Sequence, residues 1–504
     1  MRIRTRLSFL FVIASTLLLV ATSQNPRLAS ARNSAHDPTW WDKYQFILNS
    51  GSDGSVGAST LVSVGANVDV SNECGPQSET FITIDPSNPG TLAAGSNEIF
   101  RLPMRGYFSL DGGTSWGGVD LPLPPPKTKT GIDFGSDPTL AFDSSGNPFY
   151  GYIVVFFARG NGINGTQMAV ARSTDGGETY PSATFFDFEN GTNHFNDKPM
   201  ITADANLGSP FRDNVYIAWD AASGGSSGGA VRLATSTDHG ATFSTKRVDD
   251  LSGPGRSIGA SPAVGPNGEV YVAWNDYVAN AIIFNHSFDG GQTWGNPVTI
   301  SPKTLPFDLR IPAESFRGAL VYPSLGVDTS SGIHRGRIYC SWMDLTALNV
   351  TDIFISHSDD NGATWSTAAP VTDQFLFAVD QFNHWMSIDS VTGDVNVAFY
   401  DTHNDTTGSR YQTDYYLARS TEGGVSWNVP DIRVSTASSN EHDCNGIFPC
   451  DGINYGNQQG DYEGLVSFAG VSYPVWTDSR RQLDPSSGCR RPFLMEEVFT
   501  AKVN

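Results

Sequence analysis

Two short acidic segments of the chain carry side chains suited to acid–base chemistry. One is Asn196-Asp197-Lys198 and the other is Gly460-Asp461-Tyr462-Glu463. Two carboxyl groups that flank a glycosidic bond can hydrolyse it, one as the acid and the other as the base or the nucleophile. We therefore predict Asp197 and Asp461 as catalytic residues.

A repeated octapeptide indicates which elements position these acids. The pattern is Ser-x-Asp-x-Gly-x-Thr-Trp, as in Ser287-Phe-Asp289-Gly-Gly-Gln-Thr-Trp294. Its acidic residues follow one another at intervals of 51 to 71 positions: Asp111, Asp175, Asp238, Asp289, Asp360 and Glu422. The pattern suits a hairpin turn, because Asp accepts hydrogen bonds from the turn, Gly takes a positive φ, and the aromatic residue packs between sheets. The interval fits one four-stranded blade of a β-propeller.

A second repeat, with the pattern Val-Tyr-Val-Ala-Trp-x-Asp, predicts the number of blades. Its clear copies begin at Val215, Val270, Ile338, Val395 and Ser472, and weaker equivalents are 91–97 and 148–154. The seventh repeat lacks both an octapeptide and a fourth strand. Residues 66–71 look like a fourth strand with no blade before it, so we expect them to pair with 494–503 and close the ring. The prediction is an all-β propeller of seven four-stranded antiparallel blades, with six blades as the alternative.

The octapeptide is the Asp box, or bacterial neuraminidase repeat, and from about residue 58 the chain resembles the sialidase-like propeller superfamily. Sialidases use a tyrosine nucleophile with an acidic partner, and this resemblance adds Tyr462 to the predicted catalytic residues. They also clamp the sugar carboxylate with three arginines. The first of these lies in an Arg-Ile-Pro motif ahead of the first Asp box, whereas here the match, Arg310-Ile311-Pro312, lies between the fourth and fifth boxes. Sialidases have six blades, which also separates this chain from them.

Long connections indicate which face of the propeller binds a ligand. The boxes are tight turns between third and fourth strands. The opposite face, here called the loop face, carries the long connections Val119–Asp137, Phe186–Asp197, Ser301–Pro323 and Ser435–Asp461. Binding residues concentrate in such connections, so we expect structural boxes and a site at the central funnel opposite them. The predicted substrate-binding residues are Asp137, Arg310, Arg317 and Arg480. The alternative is that the Arg-Ile-Pro motif at Arg310 matches by chance and that the other arginines are solvated surface residues without a binding role.

These features predict a glycoside hydrolase related to exo-α-sialidases or to Asp-box polysaccharide hydrolases. The alternatives are a propeller that binds a glycan or a protein without catalysis, and a structural module of the cell envelope. The sequence has no zinc-type Cys/His spacing, P-loop or nucleophile elbow, so we expect no metal and no cofactor. The expected partner is a glycan or polysaccharide, and we expect a monomer.

The first 57 residues differ from the rest of the chain. Arg2, Arg4 and Arg6 precede the apolar run Leu7–Val20 and then small residues, an order typical of a secretory signal peptide. The run is short for a membrane span. We predict a signal peptide over 1–23, a linker over 24–57, the propeller over 58–504, and a secreted or extracytoplasmic protein without membrane insertion. The formal net charge of −21 argues against nucleic acid as a partner.

Five cysteines are an odd number for a secreted chain. Cys340 aligns with a core valine of the second repeat, so we expect it to be buried and reduced. The other four lie in connections of the loop face and allow three pairings. We favour Cys444–Cys450 with Cys74–Cys489, and the second pair would stabilise ring closure by about 2–4 kcal/mol.

Overall fold

The computed structural model describes residues 67–71, 75–99, 101–126, 131–158, 162–190, 195–223, 230–249, 256–305, 307–374, 377–442, 459–480 and 496–504. Within these ranges the strands form seven four-stranded antiparallel sheets and one two-stranded hairpin. Each four-stranded sheet is one blade, which confirms the predicted all-β propeller and its seven blades. The predicted signal peptide and linker lie outside the described residues.

The blades follow the order of the chain. Blade 1 contains β2 (Gln77–Ile84), β3 (Leu92–Glu98), β4 (Arg105–Ser109) and β5 (Gly117–Asp120). Blade 2 contains β6 (Gly131–Phe142), β7 (Pro148–Ala158), β8 (Gly162–Arg172) and β9 (Ala183–Asn190). Blade 3 contains β10 (Phe195–Ala203), β11 (Val215–Ser223), β12 (Ala230–Ser236) and β13 (Ser244–Arg247). Blade 4 contains β14 (Ser257–Val264), β15 (Val270–Asp276), β16 (Ala281–Ser287) and β17 (Val298–Pro302).

A hairpin of β18 (Asp308–Leu309) and β19 (Ala319–Leu320) separates blade 4 from blade 5. Blade 5 contains β20 (Ser324–Val327), β21 (Ile338–Leu345), β22 (Thr351–Ser358) and β23 (Ala369–Pro370). Blade 6 contains β24 (Gln381–Ile388), β25 (Val395–Asp401), β26 (Asp414–Ser420) and β27 (Ile432–Arg433). Blade 7 contains β28 (Gly464–Phe468), β29 (Val471–Asp478), β30 (Glu497–Ala501) and β1 (Asn67–Asp69).

The first strand of each blade lines the centre of the ring. Each of these strands contacts the first strand of the next blade, and β28 of blade 7 contacts β2 of blade 1. Asp137 lies in β6 and Asp197 in β10, while Asp461 comes shortly before β28. The predicted acids therefore belong to inner strands of three different blades or to their approaches.

Strand β1 closes the ring as predicted. It pairs antiparallel with β30, with Asn67 opposite Ala501 and Asp69 opposite Phe499. The side chain of Asn67 also reaches blade 6, where its Nδ2 donates to Val434 O at 2.9 Å. Because β1 is the fourth strand of blade 7, β30 is not left as an open sheet edge.

The five boxes with an aspartate use its carboxylate to organise their own turn. In the first box, Ser109 Oγ donates to Asp111 Oδ1 at 2.9 Å, and Gly113 N donates to Ser109 Oγ at 2.9 Å. Asp111 Oδ1 also accepts from Ser115 N, and Trp116 Nε1 donates to Gly113 O. Hydrogen bonds of the same kind from Thr242 lower the pKa of Asp238 in the third box to about 2. These contacts give the box carboxylates a structural role on the face away from the loops.

Aromatic residues of the second strands fill the core between blades. Trp219, Trp342 and Trp476 are among the largest fully buried side chains. Cys340, in β21, is buried and free, which confirms its predicted place in the core. The other four cysteines lie outside the described residues, so their pairing stays a prediction. Among the described residues, no helix is long and apolar enough to cross a membrane.

Candidate functional site

The first strands of five blades share a β-bulge. The pairing register shifts within β2, β6, β10, β14 and β24. The bulge residues have positive φ: Glu79 (52°), Asp137 (60°), Lys198 (51°), Gly259 (72°) and Asn383 (45°). This conformation costs a residue other than glycine about 1–3 kcal/mol. Because a bulge re-aims its side chain, the strained positions bring polar side chains of different blades together.

The ammonium group of Lys198 is the centre of this polar cluster. Its Nζ lies 3.0 Å from Glu79 Oε1 and 2.5 Å from Asp461 Oδ2. It also lies over the ring of Tyr462, 4.9 Å from the centroid, and 5.6 Å from that of Tyr322. Burial alone would lower the pKa of Lys198, but the carboxylates of Asp461 and Glu79 outweigh burial and raise it. The side chain is therefore a buried cation held by two acids.

Arg317 reaches the same cluster from the β18–β19 hairpin. Its Nε donates to Asp461 Oδ1 at 2.7 Å and its Nη2 donates to Asp461 Oδ2 at 2.7 Å. Burial would raise the pKa of Asp461, but Arg317 and then Lys198 outweigh it and hold the pKa below its usual range. Asp461 is thus ionised although it is buried.

Asp137 and Asp197 lie at the other end of Lys198. The backbone N–H of Lys198 is 3.3 Å from Asp137 Oδ2 and 3.1 Å from Asp197 Oδ1. Burial, and then the charge of Asp137, raise the pKa of Asp197 well above its usual value, and a hydrogen bond between the two carboxyl groups adds to the shift. Asp197 therefore keeps a proton under conditions in which Asp461 is an anion.

Glu79 is the third acid of the cluster. Burial raises the pKa of Glu79 to about 8, against the opposing effect of Lys198. The backbone N–H of Asp461 is also 3.2 Å from Glu79 Oε1. Since Asp461 has the lower pKa, it is the acid that carries the negative charge beside Lys198 at neutral pH.

The structure brings together five of the predicted site residues: Asp137, Asp197, Arg317, Asp461 and Tyr462. Asp197 and Asp461 contact opposite ends of one lysine, so both belong to one cluster. The hydroxyl of Tyr462 donates to Pro138 O at 3.2 Å and not to a carboxylate. Burial, and then the charge of Glu79, raise the pKa of Tyr462 well above its usual value. The catalytic roles of these residues stay predictions.

The other two predicted arginines do not share a partner with Arg317. Arg480 Nη1 donates to Asn67 Oδ1 at 2.9 Å and to Thr436 Oγ1 at 2.8 Å, and its guanidinium lies 4.8 Å from the ring centroid of Phe499. Arg480 thus contacts β1 and β30 where the ring closes. Arg310 is half-buried, and its Nε has no hydrogen-bond partner among the described residues. Arg310 lies in the same hairpin as Arg317, and the substrate-binding roles of Arg310, Arg317 and Arg480 stay predictions.

Sequence reasoning missed Glu79 and Tyr322 as members of the cluster, and it named Lys198 only as the neighbour of Asp197. Glu79, Asp137 and Lys198 occupy the same place in the first strands of three successive blades, as the shared bulge shows. An alignment of the first strands would therefore have found Glu79 and Lys198 from the position of Asp137. Tyr322, whose hydroxyl lies 3.5 Å from Asp461 Oδ2, precedes a strand without that bulge, and the repeat offers no signal for it.

Another pair of buried acids adjoins the cluster. Burial, and then the charge of Glu441, raise the pKa of Glu314 well above its usual value, with smaller effects of Asp461 and Arg317. Glu314 lies in the β18–β19 hairpin, and Glu441 lies in the connection from blade 6 to blade 7. Within the described part of the chain, no group of His, Cys, Asp and Glu side chains could hold a metal ion.

The cluster combines an acid whose pKa is raised, Asp197, with an acid whose pKa is lowered, Asp461. Lys198, Asp461 and Asp197 are 1%, 2% and 3% exposed, so water has little access to them. Two carboxyl groups with pKa values displaced in opposite directions can divide the roles of proton donor and charge stabiliser. This is the chemistry that hydrolysis of a glycosidic bond requires.

Comparisons with known proteins find likeness in fold. No family model and no curated protein matches the chain. Among solved structures, a mutant NanB sialidase from Streptococcus pneumoniae is similar with a TM-score of 0.45 and 11% identity, over 70% of this chain and 68% of that one. The intramolecular trans-sialidase from Ruminococcus gnavus gives 0.44 and 13%, over 75% and 98%. The endosialidase of phage phi92 gives 0.44 and 10%, over 89% and 69%. At this identity the likeness concerns the propeller fold and not the activity.

Proposed function

We propose that this protein is a glycoside hydrolase that acts on a glycan at the centre of the loop face. The observation that carries the proposal is the opposite displacement of two pKa values around Lys198. The pKa of Asp197 is raised by burial and by Asp137, whereas Arg317 and Lys198 lower that of Asp461 in spite of its burial. Asp197 is the proton donor, and Asp461 is the anion that faces the positive charge of the transition state.

In the proposed reaction Asp197 gives up one proton when the glycosidic bond breaks and regains one from water. When the glycosidic C–O bond breaks, the leaving oxygen takes the proton of Asp197, and the sugar gains oxocarbenium character beside the Asp461 carboxylate. Water then supplies the hydroxyl of the anomeric carbon and a proton that restores Asp197. Arg317 and Lys198 position Asp461 and keep it ionised, because each donates to it in a site from which water is largely excluded.

Non-catalytic glycan binding is the second candidate, and one observation favours it. Both carboxylate oxygens of Asp461 already accept hydrogen bonds from Arg317, and Tyr462 donates to a backbone carbonyl. In this arrangement neither side chain is free to attack a sugar. A propeller of this kind would bind a glycan without hydrolysing it.

Incubation of the purified protein with a fluorogenic sialoside and a panel of β-glucans separates the two functions. For hydrolysis we expect turnover that Asp197→Asn lowers by about 10²–10⁴-fold, the usual contribution of a general acid. Activity should decline as pH rises through the raised pKa of Asp197. The control is Asp238→Asn in an Asp box, which should leave kcat/KM unchanged. Full activity of Asp197→Asn, or no turnover of any substrate by the unaltered protein, would contradict the hydrolase.

A further inference from the structure

An exposed tyrosine on the loop face is stacked on a histidine. Tyr411 lies in the connection between the second and third strands of blade 6, and its side chain is 40% exposed. Its ring is 4.0 Å from the ring of His442 between centroids, and the two planes differ by 17°. One face of the tyrosine ring is therefore covered by imidazole.

The backbone around Tyr411 is held in place. Asp405 Oδ2 accepts from the backbone N–H of Tyr411 at 2.8 Å, from that of Gln412 at 3.3 Å, and from Ser409 Oγ at 2.9 Å. The preceding residue, Arg410, has a φ of 57°, a conformation that costs about 1–3 kcal/mol outside glycine. An exposed aromatic side chain on a strained and hydrogen-bonded loop indicates a position that is fixed for contact with a ligand.

His442 is held from two sides as well. Thr413 and Ser439 form a β-bridge with N–H to O distances of 2.9 Å in both directions, which ties the loop of Tyr411 to the segment of His442. His442 Nε2 is 2.8 Å from Pro312 O, so this nitrogen carries the proton and donates it to the carbonyl. This bond fixes the orientation of the imidazole that supports the tyrosine ring.

We propose that Tyr411, supported by His442, is a stacking platform for a pyranose ring of a neutral glycan. The C–H bonds on one face of a pyranose point their partial positive charge at the negative face of an aromatic ring. A neutral sugar fits better than an acidic one, because Arg410 Nη1 is 2.9 Å from Asp380 Oδ2 and the whole chain carries a formal charge of −21. This inference rests on the proposed function in taking a glycan as the ligand.

The platform is connected to the polar cluster through one hairpin. His442 contacts the carbonyl of Pro312, and the same hairpin carries Arg317 to Asp461. A glycan on Tyr411 would thus lie beside the hairpin that forms one wall of the proposed reaction centre. Such a platform adds binding to a sugar other than the one that is cleaved.

Calorimetric titration with cellohexaose tests the platform in an Asp197→Asn background, in which binding is separate from turnover. Tyr411→Ala should weaken binding about tenfold, the order of one aromatic contact, while Tyr411→Phe should stay within about twofold because the ring remains. The matched control is Phe288→Ala. Phe288 is 56% exposed and its ring lies 4.7 Å from that of His286, but it belongs to an Asp box on the opposite face.

The platform would be overturned by equal binding by Tyr411→Ala, by equal losses in Tyr411→Ala and Phe288→Ala, or by tighter binding of 3′-sialyllactose than of cellohexaose by the unaltered protein. Absence of cellohexaose binding would overturn it too. If Tyr411→Ala loses affinity but no glycan is ever cleaved, the platform stands and the hydrolase falls. If cleavage depends on Asp197 but not on Tyr411, the hydrolase stands and the platform falls.

Discussion

Arg317 and Asp461 lie 144 positions apart in the chain and are joined by two hydrogen bonds of 2.7 Å each. The arginine side chain is 5% exposed and the aspartate side chain is fully buried. The pair links the hairpin between blades 4 and 5 to the approach of blade 7. It therefore fixes the position of a connection of the loop face relative to the inner strands.

Removal of the arginine should destabilise the fold strongly. Arg317→Leu leaves Asp461 buried beside a single cation, and breaking a buried ion pair in this way costs about 3–5 kcal/mol. The free energy of unfolding from urea titration gives the measurement. Arg337→Leu is the control, because Arg337 makes a similar two-bond contact with Asp359, whose side chain is 61% exposed, and such a pair contributes about 0–1 kcal/mol. Equal losses of unfolding free energy in the two variants would contradict a larger stabilising contribution of the buried pair.

Ring closure should depend on Asn67. Its Oδ1 accepts from Thr436 N at 2.7 Å and from Arg480 Nη1 at 2.9 Å, and its Nδ2 donates to Val434 O. Asn67→Ala removes these three hydrogen bonds, of which the one to Val434 O is buried, so we expect a loss of about 1–3 kcal/mol in urea titration. For comparison, Asn267→Ala at an exposed turn should change stability by less than about 0.5 kcal/mol. A neutral Asn67→Ala would mean that β1 is held by its backbone pairing alone.

Stability should decrease as pH rises from about 4.5 to about 7. Burial raises the pKa of Glu463 from 4.5 to about 7, against hydrogen bonds from Thr80 and Tyr400. Since the folded protein binds this proton more tightly than the unfolded chain, the contribution is complete below pH 4.5 and is lost as pH rises through 7. Glu463→Gln should flatten the fall of unfolding free energy between pH 5 and 7 by up to about 1.4 kcal/mol per pH unit. The exposed Glu178→Gln serves as control, and an unchanged slope in Glu463→Gln would refute the assignment.

The disulfide pattern is open to direct mapping. Digestion without reductant followed by mass spectrometry should yield linked peptides for Cys444–Cys450 and Cys74–Cys489. Cys340 should react with an alkylating reagent only after denaturation, because it is buried in β21. Cys340 in a linked peptide would contradict the alignment of the second repeat.

The repeats predict the fold because each blade repeats the same local physics. Turn residues of the Asp boxes and the aromatic second strands mark the blades one by one, and the unmatched strand at 66–71 indicates the closure. The candidate site is different in kind. Lys198 and Glu79 meet only because two bulges place non-glycine residues at positive φ. Neither lysine nor glutamate favours that conformation, so the residue types do not predict it.

The partners in the cluster are also far apart along the chain. Glu79 and Asp461 approach each other across 382 positions, a contact that the ring brings about and no local pattern contains. The role of Arg480 shows the same limit from the other side. An arginine is suited to bind an anion, which is why we predicted Arg480 as a substrate-binding residue. However, Arg480 follows the end of β29 at Asp478 and contacts Asn67 of β1.

Closure through β1 has a consequence for how the chain is made. Ser71 bonds to Glu497, 426 positions later, and at about 5–20 residues per second synthesis of the intervening chain takes roughly 20–90 s. For that time β1 exists without the sheet with which it pairs. The ring can be completed only after β30 has been synthesised. Until then β1 presents unpaired backbone groups to other chains.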